Sequence, residues 1–395
     1  MRQGHGMDNK QRVGNYIKCA QNTEEPYCAY VPKALPPVPP LKMNDLYPLL
    51  DQASTALGRL DGMSMVLPDP SLFIYMYVRK EAVLSSQIEG TQSSLSDLLL
   101  FENEKVPGMP IDDVTEVYCY VDAMNYGLER LKELPLSLRL MREIHQKLMA
   151  RGRGSDKLPG EFRSTQNWVS GTRPGNAYFV PPPPAHLMDT LDKFEKFIHD
   201  KKTKLPALVK AALVHVQFET IHPFLDGNGR LGRLLITFIL CIEGILKEPL
   251  LYLSLYFKTH RRAYYDHLQS VRETGDWETW IKFFLKGVIE TANQATEAAQ
   301  EILFLFNKDR SVIEGSNRST ATVLTIHSYL QRHPLSNTAK IKKACNVSLP
   351  TILRSLANLE DLSIIKEITG KGRHKIFVYK AYLEILNKGT ESFMS

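Results

Sequence analysis

The segment that decides the fold is IHPFLDGNGRLGRLL, Ile221 to Leu235. It places a histidine and an aspartate ahead of a Gly-Asn-Gly run, and two arginines after that run inside an apolar stretch. Glycine and asparagine permit the compact turns that bring bare backbone N–H groups together. A helix predicted directly after such a turn has unpaired N–H groups and a dipole that favours an anion. The segment therefore predicts an anion-binding loop at the start of a helix.

The charged residues of this segment indicate which anion binds. Arg230 and Arg233 lie three residues apart, so both guanidinium groups project from one side of the helix, and two such groups suit a polyphosphate. Asp226 supplies the carboxylate that magnesium accepts when phosphates complete its coordination shell. His222 can take a proton near neutral pH. Together these residues predict a metal–polyphosphate site with an adjacent base.

Each of these residue types also has a simpler structural explanation. A Gly-Asn-Gly run is usually a turn, an isolated histidine is usually a structural hydrogen-bonding residue, and arginines on helices are usually solvated or paired. His222 and Asp226 would be a partial transition-metal site, but no third ligand lies near them in the sequence. The conjunction of all of them over twelve positions favours a function.

The composition is that of a soluble globular protein. The chain has 395 residues, of which 43% are hydrophobic and 23% are charged, so two or three domains are expected. The apolar run Leu234 to Ile242 is nine residues long, too short to span a bilayer. The first residues show no apolar core of a secretory signal. We therefore expect residence in the cytoplasm without a membrane partner, although a specialised secretion system would leave no readable mark.

The cysteines do not form a recognisable framework. They are odd in number, scattered, and without a Cys-x-x-Cys or Cys/His cluster, so we interpret them as reduced thiols. Their positions are Cys19, Cys28, Cys119, Cys241 and Cys345.

Helical periodicity, turn residues and polarity predict five parts in the chain. They are an N-terminal arm, partly extended (1–42), a helical region (43–110), a helical core (111–306), a polar linker (307–319) and a C-terminal domain (320–395). The helical period is lost over 160–184, where RPGNA reads as the tip of a β-hairpin and four prolines end the stretch. In the C-terminal domain, the order of two helices, a turn, a helix and a hairpin predicts a winged helix-turn-helix.

The positive charge of the chain is concentrated in that last domain. Residues 317–395 hold twelve Lys and Arg against five Asp and Glu, a balance of +7 that exceeds the +6 of the whole chain. A basic helix, recognition helix and wing are typical of contact with the DNA backbone, although winged helices also serve as protein-contact or dimerisation modules. The basic residues concerned are Lys340, Lys342, Lys343, Arg354, Lys371, Arg373 and Lys375.

The segment HPFLDGNGRLGR, His222 to Arg233, resembles the HxFx[D/E]GNGRxxR signature of the Fic (filamentation induced by cAMP) family without a mismatch. The resemblance extends from about Tyr30 to Thr291. YVPKALPPVPPL resembles the N-terminal arm of that family, residues 160–184 its flap, and YFKTHRRAYYDHL the segment that closes its nucleotide pocket. It implies a mainly α fold, with an all-helical Fic core, a β-hairpin flap and a C-terminal winged helix-turn-helix domain.

The resemblance also implies an activity. Most Fic proteins are adenylyltransferases that move AMP from ATP to a Ser, Thr or Tyr hydroxyl of a protein. His222 would be the general base, Asp226 would hold Mg²⁺, and Arg230 and Arg233 would hold the β- and γ-phosphates. Asn228 and the neighbouring backbone N–H groups would stabilise the α-phosphate. The ATP-binding residues implied in this way are Gly227, Asn228, Gly229, Arg230, Leu231, Gly232, Arg233 and His260.

SSQIEG, residues Ser85 to Gly90, resembles the [S/T]xxxE[G/N] inhibitory motif of Fic proteins with an N-terminal inhibitory helix. Ser85 and Glu89 are four residues apart, hence on one helical face. The resemblance implies that Glu89 pairs with Arg233 and occupies the group that should hold the γ-phosphate. A routine salt bridge at a helix end is the alternative. In some relatives the same glutamate positions a water that removes AMP, so a dual transferase and hydrolase is a further reading.

Partners follow from the same resemblance. The target protein would add a strand to the flap at 160–184, and relatives often form homodimers. Two other functions stay open at this point: a DNA-binding transcription regulator whose Fic core senses nucleotide, and a Doc-like protein kinase. Doc-type motifs replace the glycine after the asparagine with a larger residue, so Gly229 favours adenylylation.

Overall fold

Helices form most of the structure. The computed structural model describes residues 9–21, 25–66, 70–103, 111–316, 320–370 and 375–390. The helices that precede the C-terminal domain are α1 (Tyr47–Val66), α2 (Pro70–Ile88), α3 (Leu95–Asn103), α4 (Ile111–Arg130), α5 (Leu138–Leu148), α6 (Pro184–Ile198), α7 (Ala207–Ile221), α8 (Asn228–Ile242), α9 (Ser254–Thr259), α10 (Arg261–Thr274) and α11 (Trp277–Gly315). In the described part of the chain, no helix combines the length and apolar character needed to cross a membrane.

The N-terminal arm begins with a two-stranded antiparallel sheet, β1 (Asn15–Cys19) and β2 (Tyr27–Val31). Arg12, just before β1, is buried and fixes the arm to the body: its guanidinium donates to the carbonyls of Pro39 and Pro40 and lies 2.7 Å from Glu278 on α11. The polyproline stretch thus lies on the helical body.

The core is continuous from α1 to the C-terminal domain, with buried apolar side chains from Leu46 to Leu386. At its centre lie α7, which is buried on almost all sides, and α8, which packs along it. The chain between these two helices is the loop of the opening segment. Helix α2 packs against α4, α8 and α9, so its C-terminal end lies beside that loop. The predicted domain boundaries at 42, 110 and 306 stay predictions. The buried apolar core is continuous across the last two of them.

The predicted linker is helical over most of its length. Helix α11 runs to Gly315 and so includes residues 307–315. The polar composition was misleading because two residues in this last part of α11 are buried against the C-terminal domain. Ile313 is fully buried, and Asp309 accepts a hydrogen bond of 2.6 Å from the hydroxyl of Tyr379.

The three helices and two strands predicted for the C-terminal domain are present in the predicted order, together with a first strand and a last helix that were not predicted. The assignment of this domain as a winged helix-turn-helix stays a prediction. Its elements are α12 (Ala321–Arg332), β3 (Leu335–Asn337), α13 (Thr338–Cys345), α14 (Leu349–Asp361), β4 (Lys366–Glu367), β5 (Ile376–Val378) and α15 (Lys380–Asn387). The three strands form one antiparallel sheet in the order β3-β5-β4. Lys371 and Arg373 of the predicted wing lie outside the described residues.

The predicted β-hairpin at 160–184 is reduced to one antiparallel bridge, between Val169 and Phe179. A 3₁₀ turn at Pro174–Asn176 forms the tip. The ladder does not continue beyond Phe179 because residues 181–184 are prolines, which have no N–H group to donate. The segment nevertheless lies beside the central loop, since Arg163 N donates to the carbonyl of Pro223 at 3.0 Å. We keep the name flap for residues 160–184.

Candidate active site

The central loop is shaped by two residues in left-handed conformation. Helix α7 ends at Ile221, and His222 caps it with φ of 49°; Gly227, with φ of 75°, precedes the first residue of α8, Asn228. Left-handed backbone is unfavourable for a residue with a side chain, so strain at His222 has to be offset by surrounding contacts. The first turn of α8 points its N–H groups into the space beside His222.

Those contacts come from inside the loop and from the flap. Asn228 and Phe224 exchange two hydrogen bonds, one from the backbone N–H of Phe224 at 2.9 Å and one from the Asn228 amide at 2.8 Å. The Asn167 amide donates to the carbonyls of Phe224 and His222, and Arg163 Nε also donates to the His222 carbonyl at 3.0 Å. The Asn228 amide thus closes the loop, a structural role in addition to the predicted one toward an α-phosphate.

His222 is held as a neutral base. Its Nδ1 lies 3.3 Å from the carbonyl oxygen of Glu219, and because a carbonyl only accepts, Nδ1 carries the proton. Nε2 therefore keeps its lone pair. Burial lowers the pKa of His222 to about 4, assisted by the charges of Arg272 and Arg163 and opposed by the Glu219 carbonyl. The imidazole is consequently unprotonated at neutral pH and able to take a proton.

Asp226 is the partly exposed carboxylate of the site, with 40% of its side chain accessible. Its Oδ1 accepts from the Gly227 N–H at 2.5 Å, and its carbonyl accepts from His145 Nε2 at 3.0 Å. His145 Nδ1 in turn accepts from Gly160 N, which fixes the tautomer. No group of three or more His, Cys, Asp and Glu side chains suited to a metal occurs among the described residues. One accessible carboxylate fits a Mg²⁺ ion whose other ligands are phosphates and water.

The two arginines of the motif are buried and face different carboxylates. Arg230 Nη1 lies 3.2 Å from Glu116, and Arg230 Nη2 lies 3.7 Å from Asp226. Arg233 donates to the hydroxyl and carbonyl of Ser85 and lies 2.6 Å from Oε1 of Glu89. The predicted pair between α2 and α8 is therefore present.

The charges of the Glu89–Arg233 pair stabilise each other. Burial opposes both charges, but the carboxylate raises the pKa of Arg233, and the guanidinium lowers the pKa of Glu89. Gly229 makes room for the pair, because a Cβ atom at this position would collide with Glu89 Oε1. The position of the Glu89 side chain thus requires a glycine at 229.

These residues surround one cavity of about 300 Å³. Its wall is completed by flap residues on one side and by α10 on the other. The residues that line it are Glu89, Trp168, Val169, Ser170, Tyr178, Glu219, His222, Leu225, Asp226, Gly227, Asn228, Gly229, Arg230, Arg233, Tyr264, Tyr265, Leu268 and Arg272.

Three predicted ATP-binding residues do not line this cavity. Leu231 is fully buried in the apolar core, and Gly232 faces Glu219 instead of the cavity. His260 is exposed and lies with its ring 4.3 Å from that of Tyr256. The prediction placed it in the site wrongly because α9 ends and α10 begins at this residue, where the imidazole is exposed.

Three functional-site residues were missed. Glu219 and Arg272 line the cavity, and Arg163 holds the loop from the flap. Arg272 donates to Thr220 Oγ1 and to the Glu219 carbonyl, so it also supports the end of α7. One signal was available: Glu219 is the single acidic residue of α7, the helix that leads into the motif.

A neutral imidazole, a carboxylate and two buried arginines around a helix N-terminus are the groups expected of a phosphate-binding site on a helical scaffold. Comparison with known proteins specifies the class further. Residues 47–129 match the Fic/DOC family N-terminal domain, and residues 135–240 match the Fic/DOC family domain. The chain therefore contains a Fic N-terminal domain and a Fic domain.

Named relatives and solved structures agree with that assignment. Protein adenylyltransferase Fic from Aedes aegypti is 31% identical over 295 residues, covering 69% of this chain and 55% of the relative. The protein of the same name from Culex quinquefasciatus is 33% identical over 201 residues, covering 50% of this chain and 37% of the relative. The chain thus spans about half, or less, of the length of these relatives.

Two crystal structures show the same fold. A Fic family protein from Desulfovibrio desulfuricans G20 aligns with a TM-score of 0.54 at 18% identity, over 85% of this chain and 95% of that one. A Fic domain containing signaling protein from Bacteroides thetaiotaomicron aligns with a TM-score of 0.52 at 20% identity, over 63% of this chain and 97% of that one.

Proposed function

We propose that this protein transfers AMP from ATP to a Ser, Thr or Tyr hydroxyl of a target protein. The observation that carries the proposal is the neutral His222, whose Nε2 keeps its lone pair beside a cavity bounded by Arg230, Arg233 and Asp226. A protein that only senses nucleotide needs the arginines but not the base. The names of the curated relatives support the same activity.

In the proposed reaction each group has its own task. The arginines hold the outer phosphates, and the N–H groups of the first turn of α8 face the α-phosphate. His222 Nε2 takes the proton of the target hydroxyl, whose oxygen attacks the α-phosphorus while the bond to pyrophosphate breaks. Such transfers depend chiefly on positioning and on fixed positive charge, and a base contributes about 10²- to 10⁴-fold.

Asp226 would hold the Mg²⁺ ion of this reaction. Its carboxylate is accessible, lines the cavity and directly precedes the glycine turn. When bound, the ion would supply positive charge that neutralises the phosphates.

We further propose that the resting enzyme is autoinhibited. Glu89 takes up the donors of Arg233 that the γ-phosphate needs, so ATP cannot occupy the cavity in its productive pose until α2 releases that pair. Removal of AMP by a water on Glu89 is the second activity compatible with this arrangement, because that side chain remains 32% exposed at the cavity.

The flap offers a surface for the target protein. Beside the bridge between Val169 and Phe179, the aromatic side chains of Trp168 and Tyr178 are exposed and also line the cavity. A target segment that pairs with this backbone would bring its hydroxyl toward His222. Recognition of an extended segment of protein is therefore part of the proposal.

The position of the radiolabel in ATP tests the proposal against its alternatives. Glu89→Gly protein is incubated with ATP labelled in the α- or in the γ-phosphate, together with a protein extract. Transfer of α-label with release of pyrophosphate supports adenylylation. Transfer of γ-label indicates a Doc-like kinase, and nucleotide binding without any transfer indicates a sensor.

A further inference from the structure

A second carboxylate lies against the imidazole of His222. Glu219 is one turn earlier on α7, with 9% of its side chain exposed, and its Oε2 lies 4.0 Å from His222 Nδ1. Its other oxygen, Oε1, is buried without a hydrogen-bond partner in the part of the chain that the structure describes. Burial of an unpaired carboxylate oxygen is unfavourable, so its retention beside the proposed base calls for a functional explanation.

The motif itself makes room for this carboxylate. A Cβ atom at Gly232 would collide with Glu219 Oε1, so any larger residue there would displace it. A glycine at position 232 is thus needed to leave space for the Glu219 side chain beside His222.

Charged and titratable groups face Glu219 from three elements: Arg233 on α8, Glu89 in the turn that follows α2, and Arg272, Tyr264 and Tyr265 on α10. Burial raises the pKa of Glu219 to about 7; Arg233 lowers it, Glu89 raises it and Arg272 lowers it. The carboxyl can therefore ionise close to neutral pH.

His222 lacks a stable counter-charge of its own. Arg272 and Arg163 disfavour its protonation, and among the neighbouring carboxylates Glu89 favours it. Glu89, however, must leave Arg233 when a triphosphate binds. Glu219 stays in place, because it belongs to the same buried helical turn as His222.

We propose that Glu219 is a positioning residue for the base: its carboxylate, held 4.0 Å from Nδ1, stabilises the imidazolium that forms during transfer. This inference rests on the proposed function. The O–H bond of the target breaks and its proton goes to His222 Nε2; the O–P bond forms as the P–O bond to pyrophosphate breaks. His222 then carries one positive charge, which the Glu219 carboxylate balances without taking up a proton.

The test is the pH dependence of kcat for AMP transfer in the Glu89→Gly background. Glu219→Gln should lower the plateau of kcat by about 10- to 100-fold, part of the contribution of a general base. It should also move the acid limb from about pH 7 toward about pH 4, because the parental limb follows the ionisation of Glu219, whereas in the variant only His222 still has to lose a proton. KM for ATP should stay the same.

Glu219→Asp serves as the matched control, because it keeps the charge and should keep the acid limb near its parental position. A merely structural role would lower kcat or raise KM without moving the limb, and that result overturns the inference. A parental acid limb that already lies near the His222 pKa of about 4 would overturn the inference as well, because such a limb would show no dependence on an ionised Glu219. Inactivity of Glu89→Gly itself would overturn the proposed transferase function and this inference with it.

Discussion

Arg233 Nη2 lies 2.6 Å from Glu89 Oε1, while Arg233 Nε donates to Ser85 Oγ at 2.8 Å. The guanidinium that the proposed reaction needs for a phosphate is therefore engaged by one face of α2. A carboxylate and a γ-phosphate compete for the same cation, so any change that moves α2 changes the affinity for ATP in its productive pose.

Replacement of Glu89 by glycine should activate the protein. The change frees Arg233 for the γ-phosphate, and we expect auto-adenylylation to rise about 10- to 100-fold, the range of a typical coupling free energy. Incorporation of α-labelled ATP into the purified protein measures the effect. Glu314→Gly is the matched control, because Glu314 pairs with Arg310 on an exposed helical face and should leave labelling unchanged. Equal labelling of both variants would refute the inhibitory role.

His222→Ala should abolish transfer and preserve nucleotide binding. The imidazole supplies the base, whereas Arg230 and Arg233 supply the affinity for phosphates. In the Glu89→Gly background, labelling should fall by about 10²-fold or more, while the Kd for ATP measured by calorimetry changes little. His199→Ala, at an exposed position at the end of α6, is the control. Loss of ATP binding in His222→Ala would assign the residue to binding instead.

Gln87 connects the C-terminal domain to α2, the helix that precedes Glu89. Its amide donates at 2.9 Å to the carbonyl of Ser93 and at 2.9 Å to that of Thr390, which follows α15. Gln87→Ala leaves both buried carbonyls unpaired, so the free energy of unfolding should fall by about 1–3 kcal/mol. Basal labelling should rise as well, because the end of α2 that carries Glu89 loses an anchor.

Urea unfolding and α-labelled ATP measure these two effects of Gln87→Ala. Gln92→Ala, at an exposed position a few residues further on, is the control for both assays. A loss of stability without any rise in labelling would mean that the contact with the C-terminal domain does not influence the Glu89–Arg233 pair.

A buried histidine should make stability depend on pH. His215 is paired through its two nitrogens with the Gly232 carbonyl and the Tyr264 hydroxyl, and burial lowers its pKa to about 3. Since the unfolded value is about 6.5, the unfolded state binds the proton first as pH falls, and at pH 5 this disfavours folding by about 2 kcal/mol. The contribution is complete above pH 6.5 and is lost on acidification.

Glu81 changes the pH dependence of stability in the opposite direction. Burial raises its pKa to about 7, from an ordinary value of 4.5. Between these two pH values the folded state holds a proton that the unfolded state has lost, so the folded state gains stability on acidification. The two variants should therefore change the difference in unfolding free energy between pH 7 and pH 5 in opposite directions: His215→Gln makes acidification less destabilising, and Glu81→Gln makes it more so. Urea titrations at both pH values measure the differences, and parallel shifts would contradict the assigned pKa directions.

The loop could be predicted because its information is local: spacing alone places Arg230 and Arg233 on one side of a helix. The Glu89–Arg233 pair joins residues 144 positions apart along the chain, and only the resemblance to the Fic family predicted it. Arg163 and Arg272 could not be predicted in this way. They bind His222 and Thr220 from 59 and 52 residues away along the chain, through packing that leaves no periodic signal in the sequence. The helical conformation of residues 307–315 was missed for a related reason, since burial of Ile313 depends on a domain that folds against it.

The C-terminal domain presents two kinds of surface, and they imply different partners. On α13, Lys342 and Lys343 are exposed, as is Arg354 on α14, while Leu349 and Leu353 of α14 are also 43% and 44% exposed. We favour duplex DNA as the partner because exposed cations on adjacent helices suit a phosphate backbone.

Fluorescence anisotropy with a labelled duplex tests this preference. Binding should weaken steeply as salt rises, and Lys342→Glu with Lys343→Glu should reduce the slope of log K against log salt by about 1 for each phosphate that the protein no longer neutralises. Leu349→Ser with Leu353→Ser is the matched control and should leave that slope unchanged. Absence of binding at low salt, together with self-association that the leucine variant abolishes, would instead identify α14 as a protein contact, because an exposed apolar stripe on a helix suits a second protein surface.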